Sequence, residues 1–392
     1  MTDPTQQQPH TRGRGCLIWI AVPAVVLLVL LAVLLINNRP PNVKIPTPKM
    51  PNPNGWDDFV RAAEISSRVQ HYGPYSQTRP IESWTIPEYE AFVADNAPAL
   101  HALREGLSRQ YLHPPIADTS LLLDHCAKFR ELARTLAGEA KYYEVTGQPG
   151  RATDSLLDSI EFGVTVPRGG PLIVALVGYA IETIGARPVG GLLPKLDPEN
   201  LKRTSNRFER IQSKRVTFPD ILRSEAISSE AMVREATGTR RRPWSFLLPQ
   251  EVLNRHYRSY LEKVAKEQVG PYVGPSHVPP PKGFPSFAAP VLRSRLSVAR
   301  SEATLALIQV EVALRRYKAD HGGYPDRLSQ LKPDYLSEIP VDPFGGKQLR
   351  YRPTKQGQDF LLYSVGPNLQ DDGGRLEKWS GETTQGDILL ER

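Results

Sequence analysis

The residue types best suited to chemistry lie near the end of the chain, in the loop GPNLQDDGG from Gly366 to Gly374. Asn368, Asp371 and Asp372 put side-chain oxygens beside Gly366, Gly373 and Gly374, which permit unusual backbone angles. Adjacent aspartates repel each other unless a cation or a hydrogen-bond donor joins them. Two readings are therefore open. Calcium takes six to eight oxygen ligands on flexible loops and suits this composition. The alternative is a polar turn that closes itself through Asx hydrogen bonds.

The rest of the chain offers little reactive chemistry. It has no HExxH, no GxSxG and no phosphate-cradling glycine loop, and its histidines are scattered singly. His125 and Cys126 are adjacent, and neighbours on a helix point in different directions, so a core or surface role is expected for both. Two cysteines, Cys16 and Cys126, make no disulfide framework. Glu225, Glu230 and Glu235 recur every five residues, which spirals around a helix and gathers no pair on one face; they are expected to be solvated. Arg240, Arg241 and Arg242 before Pro243 and Trp244 form a basic loop that could touch lipid headgroups. No enzyme is expected.

The elements that would position these residues can be read from patterning. A chain of 392 residues corresponds to about two folded units. Its net charge of +7 is concentrated: residues 201–268 hold fifteen Lys or Arg against eight Asp or Glu, so the remainder sums to zero. On helical segments a solvated basic face is the plainest account, with anionic headgroups or cell-wall polymers as the alternative partners. No nucleic-acid partner is expected.

The run Leu17 to Ile36 is twenty residues without a charge. At about 1.5 Å per residue it spans about 30 Å, the thickness of a hydrocarbon core. It ends in Asn37, Asn38 and Arg39 with no small-residue cleavage site, which predicts an uncleaved anchor. Arg12 and Arg14 favour a cytoplasmic N-terminus and place the bulk outside the cytoplasm. A lipoprotein is excluded because Cys16 precedes the apolar run. The expected order is a cytoplasmic tail (1–15), a transmembrane helix (16–37), a linker with six prolines (38–54), an α-helical domain (55–268), a second linker (269–290) and a C-terminal α+β domain (291–392). Asn54 and Asp57 are expected to cap a helix starting near Trp56. In the segment YYEVTGQPGRATDSLLDSIEF, Gly147, Ala152 and Leu156 fall at offsets resembling one tetratricopeptide hairpin, near 130–160, with no second copy. Pro171 to Ala186 is the most apolar later stretch. At sixteen residues with Glu182 inside, it is expected to be a buried core helix, with Gly178 admitting a close neighbour.

In the last hundred residues Leu292, Leu296, Ala299, Ala303, Ala306, Val310, Ala313 and Tyr317 alternate steps of four and three, one stripe along a long helix that must lie on something flat. Gly322, Gly323 and Pro325 stop it. Strand-like runs come next at Leu349–Arg352, Phe360–Val365 and Asp387–Leu390, so the expectation is a long helix on a small antiparallel sheet.

The order of HGGYP, LSQLKPDYLSEIPVDPFGG, YR, LLYSVGPN and DDGG after that helix resembles the soluble part of the major pseudopilin of type II secretion systems, over about a quarter of the chain. The resemblance implies a calcium site at Asn368, Asp371 and Asp372, with the carbonyl of Val365. Departures accompany it. The family's Gly, hydrophobic residue and following Glu at the peptidase site are incomplete here, because Ile20 stands where the Glu belongs after Gly15. Some 250 residues separate the apolar run from the long helix, where pseudopilins have one continuous helix. The expected class is a membrane-anchored envelope protein that binds or assembles with protein partners. The alternatives are a working secretion or pilus component, and an envelope hydrolase with an unrecognised site in the helical domain.

Overall fold

The structure, a computed structural model, describes residues 49–72, 83–116, 118–239, 250–279, 285–376, 378–380 and 383–391. The expected tail, the anchor at 17–36, most of the first linker and Arg240–Trp244 lie outside the described residues. Thr47–Arg240 and His256–Arg392 form one compact unit; residues 250–255 belong to a second unit and form the beginning of one helix.

The longer helices are α1 (Gly55–Tyr72), α2 (Ile86–Ser108), α3 (Thr119–Val145), α4 (Pro149–Thr165), α5 (Leu172–Ala186), α6 (Pro198–Ser213), α7 (Phe218–Thr239), α8 (Gln250–Glu267) and α9 (Pro285–His321), with a single helical turn at Val189–Leu192. Local sequence accounts for their ends. The Asn54 side chain accepts from Trp56 N at 3.2 Å, opening α1, and ties the turn to Leu112 in both directions. Asp118 accepts from Ser120 N and Leu121 N to cap α3, and Asp197 accepts from Asn200 N to cap α6. Between α3 and α4, Gly147 at φ 74° lets Gln148 N reach Tyr143 O (2.8 Å) and Gly147 N reach Glu144 O (3.1 Å). That is the paired closure a left-handed glycine makes possible, and it folds α3 and α4 into a hairpin.

α5 is a core helix. The stretch Leu172–Lys195 is long and apolar enough to cross a membrane by length and composition, with mean hydropathy 1.5, and 61% of its most apolar window is buried in the fold. Gly178 in α5 faces Gly163 in α4 so closely that a Cβ on either would stand 2.6–2.7 Å from the other's carbonyl oxygen. Glu182 is tolerated inside this helix because Arg215 reaches it at 2.5 Å and the Ser301 hydroxyl donates to it. Glu182 is buried, and its charge is met by a largely enclosed cation and a hydroxyl, the condition for a charge in a core.

α9 joins the two halves of the unit. Ala299, Ala303, Ala306, Val310 and Ala313 pack with Leu328, Leu331, Phe344, Phe360 and Leu362, as the stripe predicts. On another face Leu305, Ile308 and Val312 enter a second core with Leu156, Ile160, Leu192 and Phe208 of the helical body. Val291 and Val298 join a third with Phe218, Tyr260 and Leu261. α9 begins at Pro285, inside the expected 269–290 linker, and is shared by the helical body and the C-terminal sheet. Strands β1 (Arg350–Thr354) and β2 (Asp359–Tyr363) pair antiparallel, with Arg350 opposite Tyr363 and Thr354 opposite Asp359. A second hairpin, β3 (Lys378–Ser380) with β4 (Thr383–Gln385), arises where no strand was expected. The expected run 387–390 forms no strand; it contributes single bridges, Asp387 to Leu376 and Ile388 to Ser364. Its reach is short because the chain turns toward the helical body, where Arg187 pairs with Glu391 at 3.0 Å and Gly190 leaves room for the Glu391 backbone.

Candidate functional site

Two charged places stand out in this frame. The first is the loop Gly366–Gly374. Asp371 accepts from the Tyr363 hydroxyl at 2.7 Å and from Gly373 N at 3.1 Å, and its other oxygen lies 3.0 Å from Arg350. The Tyr363 hydrogen bond holds Asp371 below the ordinary carboxylate range, while burial pushes the Tyr363 hydroxyl up to about 12. The Asn368 amide donates to Asp372 at 2.8 Å, and its oxygen takes Gln370 N. Val365 donates its N–H to Asp342 at 3.0 Å. Sequence reasoning missed Asp387. Buried beneath the loop, it accepts from Gly374 N at 2.7 Å and Asp372 N at 3.3 Å, and burial raises it above its ordinary value. Asp342 plays the same part on the other side, taking Phe344 N, Ser364 Oγ and Val365 N.

Asn368, Asp371 and Asp372 thus share this loop and Val365 directly precedes it, and their oxygens are of the type calcium uses. In the described arrangement they are joined by protein donors and by the Arg350 cation. Among the described residues no three His, Cys, Asp or Glu side chains are grouped to hold a metal.

The second place is a cavity of about 500 Å3 in the helical body, at residues that no sequence motif singles out. Arg104 comes from α2, Glu139 and Tyr143 from α3, Arg151, Asp154, Ser155 and Asp158 from α4, and Arg203, Arg207 and Arg210 from α6. α3, α4 and α6 each present one stripe, at i, i+3, i+4 or i+7, and α2 adds the single Arg104. At the cavity floor Arg104 donates to Asp158 (2.7 Å) and Glu139 (2.5 Å), and Ser155 Oγ donates to Glu139 (2.7 Å). Arg207 reaches Asp158 and, at 3.2 Å, Glu161. Burial opposes the charge on Arg104, but Asp158 and Glu139 outweigh it and hold its proton more firmly than usual; Asp158 and Glu161 do the same for Arg207. Burial raises Asp154 above its ordinary value against the pull of Arg203 and Arg207.

One signal could have revealed this arrangement. Asp154, Asp158 and Glu161 stand at i, i+4, i+7, and Arg203, Arg207 and Lys214 meet them in the same order along the facing helix, at 2.7 Å for Arg203–Asp154 and 2.6 Å for Lys214–Glu161. The basic face expected to be solvated is, at these positions, an interhelical ladder. Glu225 also departs from expectation. It is not solvated: it accepts from Leu172 N at 2.8 Å at the start of α5 and from the Tyr257 hydroxyl at 3.3 Å, and burial raises it. The side chains of Glu230 and Glu235 lie outside the described residues. His125 packs edge-on against Trp56 at 5.3 Å, and burial pushes the Cys126 thiol up to about 11, so these two serve the core.

Compared with known proteins, the chain matches no family model, no curated sequence and no solved structure.

Proposed function

We propose that this chain is a membrane-held binding or assembly protein of the cell envelope, anchored by residues 17–36, with the cytoplasmic tail before them and the body outside. In this reading the pseudopilin-like C-terminal region acts as a built-in part of the body and not as a filament subunit. The observation that carries it is the burial of α9 on several faces by its own chain: Ala303 and Val310 pack under the sheet, while Leu305, Ile308 and Val312 are enclosed by the helical body. A helix satisfied on all these sides within one chain has no apolar face left there for stacking against identical subunits.

The test is fractionation with mass spectrometry of the mature N-terminus. The full chain is expected in the membrane fraction with an N-terminus at or near Met1, and a chain beginning at Lys49 is expected in the soluble fraction. A methylated N-terminus at Cys16 would overturn this reading in favour of a processed pilus or secretion component. Recovery of the shortened chain only with membranes would assign the membrane contact to a part of the body. Calcium at Asn368, Asp371, Asp372 and the Val365 carbonyl is a separate proposal. It rests on the pseudopilin resemblance and the oxygen-rich donor set, and calcium would have to share Asp371 with Arg350.

A further inference from the structure

The arginine-lined cavity carries more cation than its carboxylates neutralise. Five guanidinium groups line it against Glu139, Asp154 and Asp158, an excess of two. The deep members are committed to one another: Glu139 and Asp158 are buried and taken up by Arg104, Arg207 and Ser155. The two surplus cations stand at the rim. Arg151 lies over the Tyr143 ring at 4.0 Å and donates to the Tyr143 hydroxyl and the Gln148 amide oxygen, all neutral partners. Arg210 is exposed, lines the same cavity and forms no ion pair or side-chain hydrogen bond among the described residues.

A structural network alone would explain Arg104 and Arg207, whose removal would leave buried carboxylates unpaired. It does not explain why a concave space should end in two further guanidinium groups with no acid opposite them. Like charges gathered at a rim repel each other and are relieved by an anion, and the surplus of guanidinium over carboxylate in this lining gives the rim a net attraction for one. Guanidinium forks match the oxygens of a phosphoryl group in geometry as well as charge. Beneath the rim Arg104 and Arg207 are each held by two carboxylates, and Arg203 by Asp154, so these three are positioned before a ligand arrives.

We propose that this cavity binds a phosphoryl group carrying two negative charges, with Arg151 and Arg210 as its direct partners and Arg203 as a third that is shared with Asp154. Such a group occurs on soluble phosphates and, with one charge fewer, in the headgroup of an acidic phospholipid. The site lies in the helical body and does not depend on the N-terminal anchor.

The experiment is isothermal titration of the full chain in a non-ionic maltoside detergent, at fixed ionic strength balanced with chloride. The probes are inorganic phosphate, pyrophosphate and dihexanoylphosphatidylglycerol. Saturable binding of the parent is expected, weakened about tenfold by Arg210→Gln or Arg151→Gln, the loss typical of one charge-assisted hydrogen bond. Arg223→Gln, whose described ion pair is with Asp220 on its own helix and away from the cavity lining, is expected to bind as the parent does. Arg210 forms no ion pair or side-chain hydrogen bond among the described residues, so a loss in its variant is read as a loss of ligand contact. Binding of phosphate and pyrophosphate without the lipid assigns a soluble ligand, and binding of the lipid as well assigns a headgroup. Absence of saturable heat with all three probes, or equal affinity in Arg210→Gln, Arg151→Gln and the parent, overturns the proposal.

Discussion

The C-terminal loop and the arginine-lined cavity are both dense in charge, yet they are built on opposite plans. In the loop, the carboxylates take backbone N–H groups and one hydroxyl from nearby: Asp371 from Gly373 and Tyr363, Asp387 from Gly374 and Asp372. In the cavity, the partners stand far apart in sequence and meet across helices, Arg104 with Asp158 and Arg207 with Asp158. The first plan closes a turn and leaves its outermost acid wet; the Asp371 side chain is 42% exposed. The second buries Glu139 and Asp158, whose side chains are 4% and 8% exposed, so that either acid would be left poorly solvated without its arginine. Charge density alone does not rank these two places. Depth and the sequence distance of the partners do.

The sharpest break of this comparison is a pair of matched truncations. Asp158→Ala removes the acid that Arg104 and Arg207 share and leaves them Glu139 and Glu161, at a cost of about 3 kcal/mol, the lower end for breaking a buried pair. Asp371→Ala removes a largely solvent-screened pair and a hydrogen bond, for about 1 kcal/mol. Urea unfolding of both variants beside the parent measures the difference. Equal midpoints would mean that the ladder between α4 and α6 is as wet as the loop.

How much of the molecule was legible in its sequence obeys the same division. Asn54 at the head of α1, Gly147 between α3 and α4, Gly178 in α5 and the alanine stripe of α9 are local or periodic signals, and the chain obeys them. The oxygens of Asn368, Asp371 and Asp372 were visible for the same reason. The second face of α9 was not, because Leu305, Ile308 and Val312 break no period; they only reveal themselves once Leu156 and Phe208 are known to lie opposite. Glu225 was misjudged in the same way. Its spacing from Glu230 suggested solvent, but its partner is the backbone at Leu172, fifty-three residues earlier. The ladder of Arg203, Arg207 and Lys214 needed two helices to be read together.

A second prediction sharpens the comparison inside the loop. Asp387 is the loop's buried acid, and Asp387→Ala leaves the N–H groups of Gly374 and Asp372 without acceptors, costing about 1–3 kcal/mol. That places it above Asp371 and below Asp158. Its pH dependence also runs opposite to that of Asp371. Burial raises Asp387, so its ionisation weighs against the fold: its contribution is most favourable below the ordinary aspartate value of about 3.9 and declines as pH rises through its higher folded value. The Tyr363 hydrogen bond lowers Asp371, whose contribution is present above about 3.9 and is lost as pH falls through its lower folded value. In melting curves from pH 4 to 8, the gap between Asp387→Asn and the parent should narrow as pH rises. A gap that widens would show Asp387 to be stabilised as an anion, like Asp371.

The smallest expected effect concerns what joins the loop's acids. Arg350 supplies the only cation described beside Asp371, at 3.0 Å, and it lies where a bound calcium would have to compete for the same carboxylate. If calcium can take up Asn368, Asp371, Asp372 and the Val365 carbonyl, removing the guanidinium should make that easier. Arg350→Gln is therefore expected to melt slightly below the parent in chelator, and to recover more than the parent gains when calcium is added. At ten times its dissociation constant calcium would stabilise the fold by about 1.4 kcal/mol through mass action. Magnesium should do less, because a flexible loop of many oxygens does not meet its tight octahedron. Asp372→Ala in the same background should abolish the calcium response, whereas Glu338→Ala, well before the loop, should leave it. If neither the parent nor Arg350→Gln shifts with calcium, the loop is closed by protein donors alone. Arg350 would then be the counter-charge that the neighbouring aspartates require.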